Sequence, residues 1–222
     1  MKSIFLCTAT LVATLLFSAC SKNDSATPQS GDVLFINACT NVPFVDVKLN
    51  GTITTSTLQF LTATTSYQRF TGGNVTFFKS GADSILSKGE AADLRSHYSC
   101  ILGGSLTDPS ISFITDDLTP PHGNDSIKIR FINLSPDSLR LNCFANNILL
   151  SSNVNCFPGT NSTEFHVIKG GTMPVLMQDN SLPSKNALLM NQYLPAGHIY
   201  TVLFTGSNTG SVFYRLSVIT NI

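Results

Sequence analysis

Two apolar runs of the same form, each closed by an asparagine, constrain this chain more than any other feature. The first is Val33-Leu34-Phe35-Ile36-Asn37; the second is Ile127-Lys128-Ile129-Arg130-Phe131-Ile132-Asn133. Short runs rich in β-branched and aromatic residues read as strands, and each run opens a stretch of about 100 residues, enough for one small core. Two further matches follow in the same order. Tyr67 to Val75 corresponds to Phe165 to Met173, each with a Gly pair between apolar segments, and His97 to Gly104 corresponds to His198 to Gly206. Three matches in one order predict a tandem duplication.

In the first copy Val45, Val47 and Leu49 alternate with Asp46 and Lys48, the period of a half-buried strand, and Asn50-Gly51 supplies a hairpin turn. The second copy sets Leu139, Leu141 and Cys143 against Arg140 and Asn142, with a turn at Asn146-Asn147. The Gly pairs at Gly72-Gly73 and Gly170-Gly171 read as turns between strands, and closing strands are expected at 111–118 and 212–219. Helical periodicity is nearly absent; residues 87–94 alone carry enough helical propensity for a short turn. The fold class predicted is all-β, as two tandem immunoglobulin-like β-sandwich domains at 32–119 and 127–222. The segment 120–126 joins them as a hinge, in which Pro120 and Pro121 restrict the angle between the domains. A composition of 42% hydrophobic and only 12% charged residues fits strands better than a charged helical protein.

The N-terminus carries an address. Met1-Lys2 is a short positive start, and Ile4 to Phe17 is an apolar run suited to a secretion signal and too short to span a membrane convincingly. It ends in Leu16-Phe17-Ser18-Ala19-Cys20, which resembles the lipobox of bacterial lipoprotein precursors. The resemblance implies a signal peptide at 1–19, acylation of Cys20, and a membrane partner reached through that anchor. Residues 20–31 then form a polar, flexible linker. With Ser21 rather than Asp after the cysteine, the outer membrane is the expected location, the chain facing either the periplasm or the cell surface. Thirteen basic residues balance thirteen acidic ones without runs of either sign, so nucleic acid is not an expected partner.

Phe35-Ile36-Asn37-Ala38 with Val45-Asp46-Val47 and Asn50-Gly51, and Arg130-Phe131-Ile132-Asn133 with Ser135-Pro136-Asp137, resemble the bacterial family called domain of unknown function 4397. Its members open with an arginine-bearing strand, a loop like Ala-Ser-Pro-Asp and a Val-Asp-Val strand ending in Gly. Copy one departs with Cys39-Thr40 in place of Ser-Pro, and copy two lacks the Val-Asp-Val aspartate and the final Gly. The resemblance implies an exported, often lipid-anchored β protein and carries no enzymatic activity with it.

Candidate chemistry is sparse. His97, His122, His166 and His198 lack partners at ligand spacing, so no metal site or cofactor is expected. Ser105 and Ser207 lie outside any nucleophile-elbow pattern. The pair Asp116-Asp117 reads as a solvated strand end, with a Ca²⁺ site as the sharper alternative. In an exported chain Cys39 with Cys100, and Cys143 with Cys156, are candidate disulfides worth about 4 and about 3 kcal/mol; buried free thiols are the other reading. Ser25, Ser84, Ser126 and Ser138 each follow Asp and precede an apolar residue, which resembles a bacterial O-glycosylation acceptor and equally describes turns ahead of strands. The expected function is non-catalytic, a binding or adhesion module toward extracellular protein or glycan. The alternative is a fimbria-like assembly subunit with an exchangeable edge strand.

Overall fold

The strand-forming runs build four stacked sheets. The computed structural model describes residues 30–79, 84–93, 95–137, 139–155, 163–208 and 213–222, and among these there are strands and no helix. The first half contains β1 (Gly31–Asn37), β2 (Phe44–Leu49), β3 (Thr52–Gln59), β4 (Thr62–Ala63), β5 (Gln68–Phe70), β6 (Gly73–Phe78), β7 (Ser84–Glu90), β8 (His97–Ser105) and β9 (Asp108–Asp116). The second contains β10 (Ser126–Asn133), β11 (Leu141–Ala145), β12 (Ile148–Val154), β13 (His166–Lys169), β14 (Gly171–Asp179), β15 (Asn186–Leu194), β16 (Ile199–Thr205) and β17 (Arg215–Thr220).

Each half makes two sheets with the same strand order. In the first, β4-β1-β8-β9 with β5 also on β1 forms an inner sheet, and β3-β2-β6-β7 an outer one; in the second, the corresponding orders are β13-β10-β16-β17 and β12-β11-β14-β15. The expected all-β sandwich is what forms. Where an immunoglobulin-type sandwich has antiparallel sheets, each inner sheet here has a parallel pair at its centre, β1 with β8 and β10 with β16. One core lies between the first two sheets, around Phe35, Val47, Phe77 and Cys100, and a second between the other two, around Phe131, Cys143, Met177 and Phe204.

A third core fills the space between the inner sheets. Leu34, Ile36 and Ile101 of the first half meet Ile132, Leu134, Leu203 and Ile219 of the second, all buried. Strands β1 and β10 are therefore covered on both faces, which is why Val33 to Ile36 run without alternation and why Lys128 and Arg130, which interrupt β10, are themselves buried. Burying seven such side chains contributes on the order of 10 kcal/mol. This packing, and not Pro120 and Pro121 alone, fixes the angle between the halves.

Local chemistry explains most elements and corrects several expectations. Both residues of each hairpin turn have positive φ, 50° and 84° at Asn50-Gly51 and 50° and 62° at Asn146-Asn147, as a tight two-residue hairpin requires. The Gly pairs do not close hairpins. They carry the chain from one sheet to another, β5 to β6 and β13 to β14, and a Cβ on Gly73 would lie 2.0 Å from Asn50 Oδ1. Residues 87–90 belong to β7, so pairing with β6 overrides the helical propensity read at 87–94. Asp46 is buried although it lies on the opposite face of β2 from Val45 and Val47: a bulge in the β2–β3 ladder leaves Thr57 at φ 55°, and its N–H donates to Asp46 Oδ1 at 2.7 Å. Asn142 does the same for Asn153 at 3.4 Å.

Candidate functional site: the junction and its cleft

The asparagine ending each signature strand is a clip. Asn37 is fully buried; its Nδ2 donates to the carbonyls of Val42 and Leu58 at 3.1 and 3.2 Å, and its Oδ1 accepts from Cys39 N–H. Asn133 repeats the arrangement with Leu139, Val154 and Ser135. A buried amide that satisfies three backbone groups is costly to replace. It also ties the loop after β1 to the end of β3.

Those two segments are the walls of a cleft of about 450 Å³. Val42, Pro43 and Phe44 form one side, Gln59 and Phe60 the other, and Arg215 of β17 reaches in from the second half. Phe44 is 46% exposed, and Arg215 is exposed and in no ion pair among the described residues. The cleft therefore offers aromatic surface, an amide and an exposed guanidinium, and is complete only when both halves are present. At the corresponding place in the second half Asp137 accepts from Tyr214 OH, Asn208 N–H and Ser207 Oγ at 2.5, 3.0 and 2.8 Å. Burial works against that carboxylate, but the three donors outweigh it and hold its pKa below the ordinary value.

At the other end of β17 from Arg215, where Thr201 of β16 meets Asn221, the halves are joined by a polar ring. Arg130 is 1% exposed, the largest fully buried side chain in the molecule as described. Its Nε donates to Thr201 Oγ1 at 2.9 Å, Nη1 to the Thr115 carbonyl at 3.2 Å, and Nη2 to Ser99 Oγ and to Asp116 Oδ1. Asp116 also accepts from Ser99 Oγ at 2.8 Å and Tyr67 OH at 2.6 Å. Tyr67 OH in turn accepts from Asn221 Nδ2 at 3.0 Å, and Asn221 Oδ1 accepts from Thr201 at 2.8 Å, which closes the circuit. Burial, and next the Asp116 charge, push the Tyr67 phenol far above its usual range, so it stays a donor. No buried side-chain nitrogen or oxygen among the described residues lacks a partner. The Phe165 ring lies 4.7 Å from the guanidinium carbon.

Residues 31–141 match the family described as domain of unknown function (DUF4397), which is half of the chain. The chain belongs to this family. The DUF4397 match takes in the Asn37 clip, both walls of the cleft and Asp116, and extends through β10, so Arg130 lies inside it while Arg215 lies outside. No curated protein matches the chain.

The other residues singled out in the sequence do not converge. Asp116 is no solvated strand end, and its neighbour Asp117 accepts from Lys128 Nζ at 2.7 Å. Cys39 and Cys100 are free, buried thiols, the second of the two readings their sequence left open, and the candidate bridge between them does not form. The register gives the reason. Cys100 lies beside Phe35, while the bridge between Thr40 and Ser105 sets Cys39 level with Gly104, about 13 Å farther along the strand pair, too far for a disulfide. Cys143 is likewise a free buried thiol, and Cys156 lies outside the described residues. Burial pushes the Cys39 thiol up to about 12. Ser84 and Ser126 open strands β7 and β10 rather than lying in loops; Cys20, Ser25 and Ser138 lie outside the described residues. His97 sits 3.5 Å from Asp32, His166 2.7 Å from Ser151, and His198 stacks on Tyr200, three separate places. Among the described residues no three His, Cys, Asp or Glu side chains cluster as metal ligands.

What the sequence reading missed was the partnership of Arg130 with Asp116, Tyr67 and Asn221. An arginine interrupting an otherwise apolar strand was the available signal.

Proposed function

We propose that this DUF4397 protein is a non-catalytic cell-envelope lipoprotein that acts as a binding or adhesion module toward extracellular protein or glycan. Residues 127–222 are read as a second copy of the family domain, on the strength of the shared strand order and the paired Asn37 and Asn133 clips. Cys20 is read as the acylated residue that tethers the chain to the outer membrane. The observation that carries the functional reading is the cleft: aromatic faces, an amide and an exposed guanidinium on a scaffold whose two halves are packed together. Binding residues on loops fixed by a rigid framework are the usual way sandwich domains recognise ligands.

Arrays of glycans and extracellular proteins probed with the chain test this, with Arg215→Ala as the matched control. Specific binding that falls at least tenfold in the variant is the expected result. Failure on both arrays, together with measured turnover of any substrate, overturns it. The anchor is tested separately: Cys20→Ala is expected to abolish lipid labelling and release the protein from the outer-membrane fraction, and undiminished membrane association would defeat that part.

A further inference from the structure

The two outer sheets have the same strand order but opposite surfaces. In the second half a row of directly opposed residues crosses all four strands on the solvent side: Leu149 of β12, Phe144 of β11, Leu176 of β14 and Leu188 of β15. The equivalent row of the first half is Ile53, Lys48, Thr76 and Ser87. The sandwich therefore does not need apolar residues at these positions, since its first half folds with Lys48 lying over Phe78 and a hydroxyl pair at Thr76 and Ser87. Leu149, Leu188 and the adjacent Met190 are 51%, 47% and 66% exposed. Strands β11, β12, β14 and β15 contain a single charged residue, Asp179, and that carboxylate is buried, accepting from the N–H groups of Ser181 and Leu182. A contiguous uncharged apolar band on a sheet face marks an interaction surface.

The geometry points to a second copy of this chain as the occupant. The face has a trough of about 430 Å³ floored by Phe144, Pro174 and Leu176, and the protruding Met190 stands at its rim. Knob and trough lie on one surface, so a two-fold axis through the face places each copy's Met190 in the other's trough, the self-complementarity an isologous dimer needs. Methionine suits such a knob because its unbranched side chain adapts to the hole. The absence of charge means that the axis brings no like charges together. A foreign partner with a charged surface would find no counter-charge there. Four strands at about 4.8 Å spacing, over about five residues each, give a projected area on the order of 350 Å². Two copies thus bury less than the ~1,200 Å² of a stable complex. The dimer is accordingly reversible and suited to chains held close together.

The test uses the full chain expressed in its own envelope, with Met190 replaced by the photoreactive p-benzoylphenylalanine. Illumination is expected to give a product of twice the chain mass whose peptides all derive from this protein, while the same probe at Ser87 gives none. Leu188→Asp should lower the yield at least fivefold and leave the unfolding midpoint nearly unchanged, because Leu188 is half exposed; Leu176→Thr, the first half's own residue, is the milder companion. Cross-linking to a different protein, no product, or a product insensitive to Leu188→Asp each overturns the assignment.

Discussion

Replacing Arg130 by alanine tests the account of the junction most directly. The guanidinium and the Asp116 carboxylate have side-chain exposures of 2% and 0%, so neither is solvated from outside. Arg130→Ala leaves Asp116 with Ser99 and Tyr67 as donors and no counter-charge. Breaking a buried ion pair on one side costs about 3–5 kcal/mol, and the Thr115 carbonyl and Thr201 hydroxyl also lose a donor. Total stability for a protein of this kind is about 5–15 kcal/mol, so the loss is a large fraction of it. Arg130→Met combined with Asp116→Leu removes both charges together and should cost only about 0–2 kcal/mol, less than Arg130→Ala alone. Urea unfolding at pH 7, followed by fluorescence of the tyrosines and by circular dichroism, measures both. A loss below about 1 kcal/mol for Arg130→Ala, or a double variant as unstable as the sum of its singles, would refute the view that the pair is closed and desolvated.

Three other outcomes follow from features described above. Asn37→Ala should destabilise by about 2–3 kcal/mol, because the Val42 and Leu58 carbonyls lose their donor; Asn37→Asp, which has no N–H to offer, should not rescue it in the same urea assay. Cys39, Cys100 and Cys143 should resist an aromatic disulfide reagent in the native protein and react once it is unfolded, as mapped by mass spectrometry, since burial raises all three thiols. Hydrogen bonds from Lys128 and then Thr119 hold the Asp117 carboxyl down to about 2, from an ordinary 3.8. A depressed carboxyl stabilises the fold above its unfolded pKa and ceases to as pH falls through the folded one. The urea-midpoint difference between the native protein and Asp117→Asn should thus be constant above pH 5 and vanish between about pH 4 and 2; Asp117 is 55% exposed, so it stays under about 1 kcal/mol.

The sandwich class was legible because it depends on local periodicity and turn chemistry: Asn50-Gly51 and Asn146-Asn147 turn where they were expected to turn. Errors arose where a distant partner decides the outcome. Val33-Leu34-Phe35-Ile36 has no alternation, and that alone indicates cover on both faces, but the covering residues lie about 100 positions away, in β10 and β16. Asp46 looked solvent-facing because a bulge cannot be read from a period-two pattern. Cys39 and Cys100 satisfied every compositional condition for a bridge, and only strand register separates them. The cleft was invisible for the same reason, its Arg215 being contributed by the last strand to walls built from β2 and β3.

The parallel pairing of β1 with β8 has a mechanical side. A pull on the chain at residue 30 acts along β1, which is held by β8 on one side and by β4 and β5 on the other. The load falls on this ladder lengthwise, so its hydrogen bonds share the force and must yield together, whereas a strand peeled from a sheet edge gives them up one by one. Above and below, Phe35 and Ile36 are gripped by two different cores, so sliding β1 by one residue would drag apolar side chains out of both. A pull applied at residue 30 is therefore met by shear along the whole of β1 rather than by peeling.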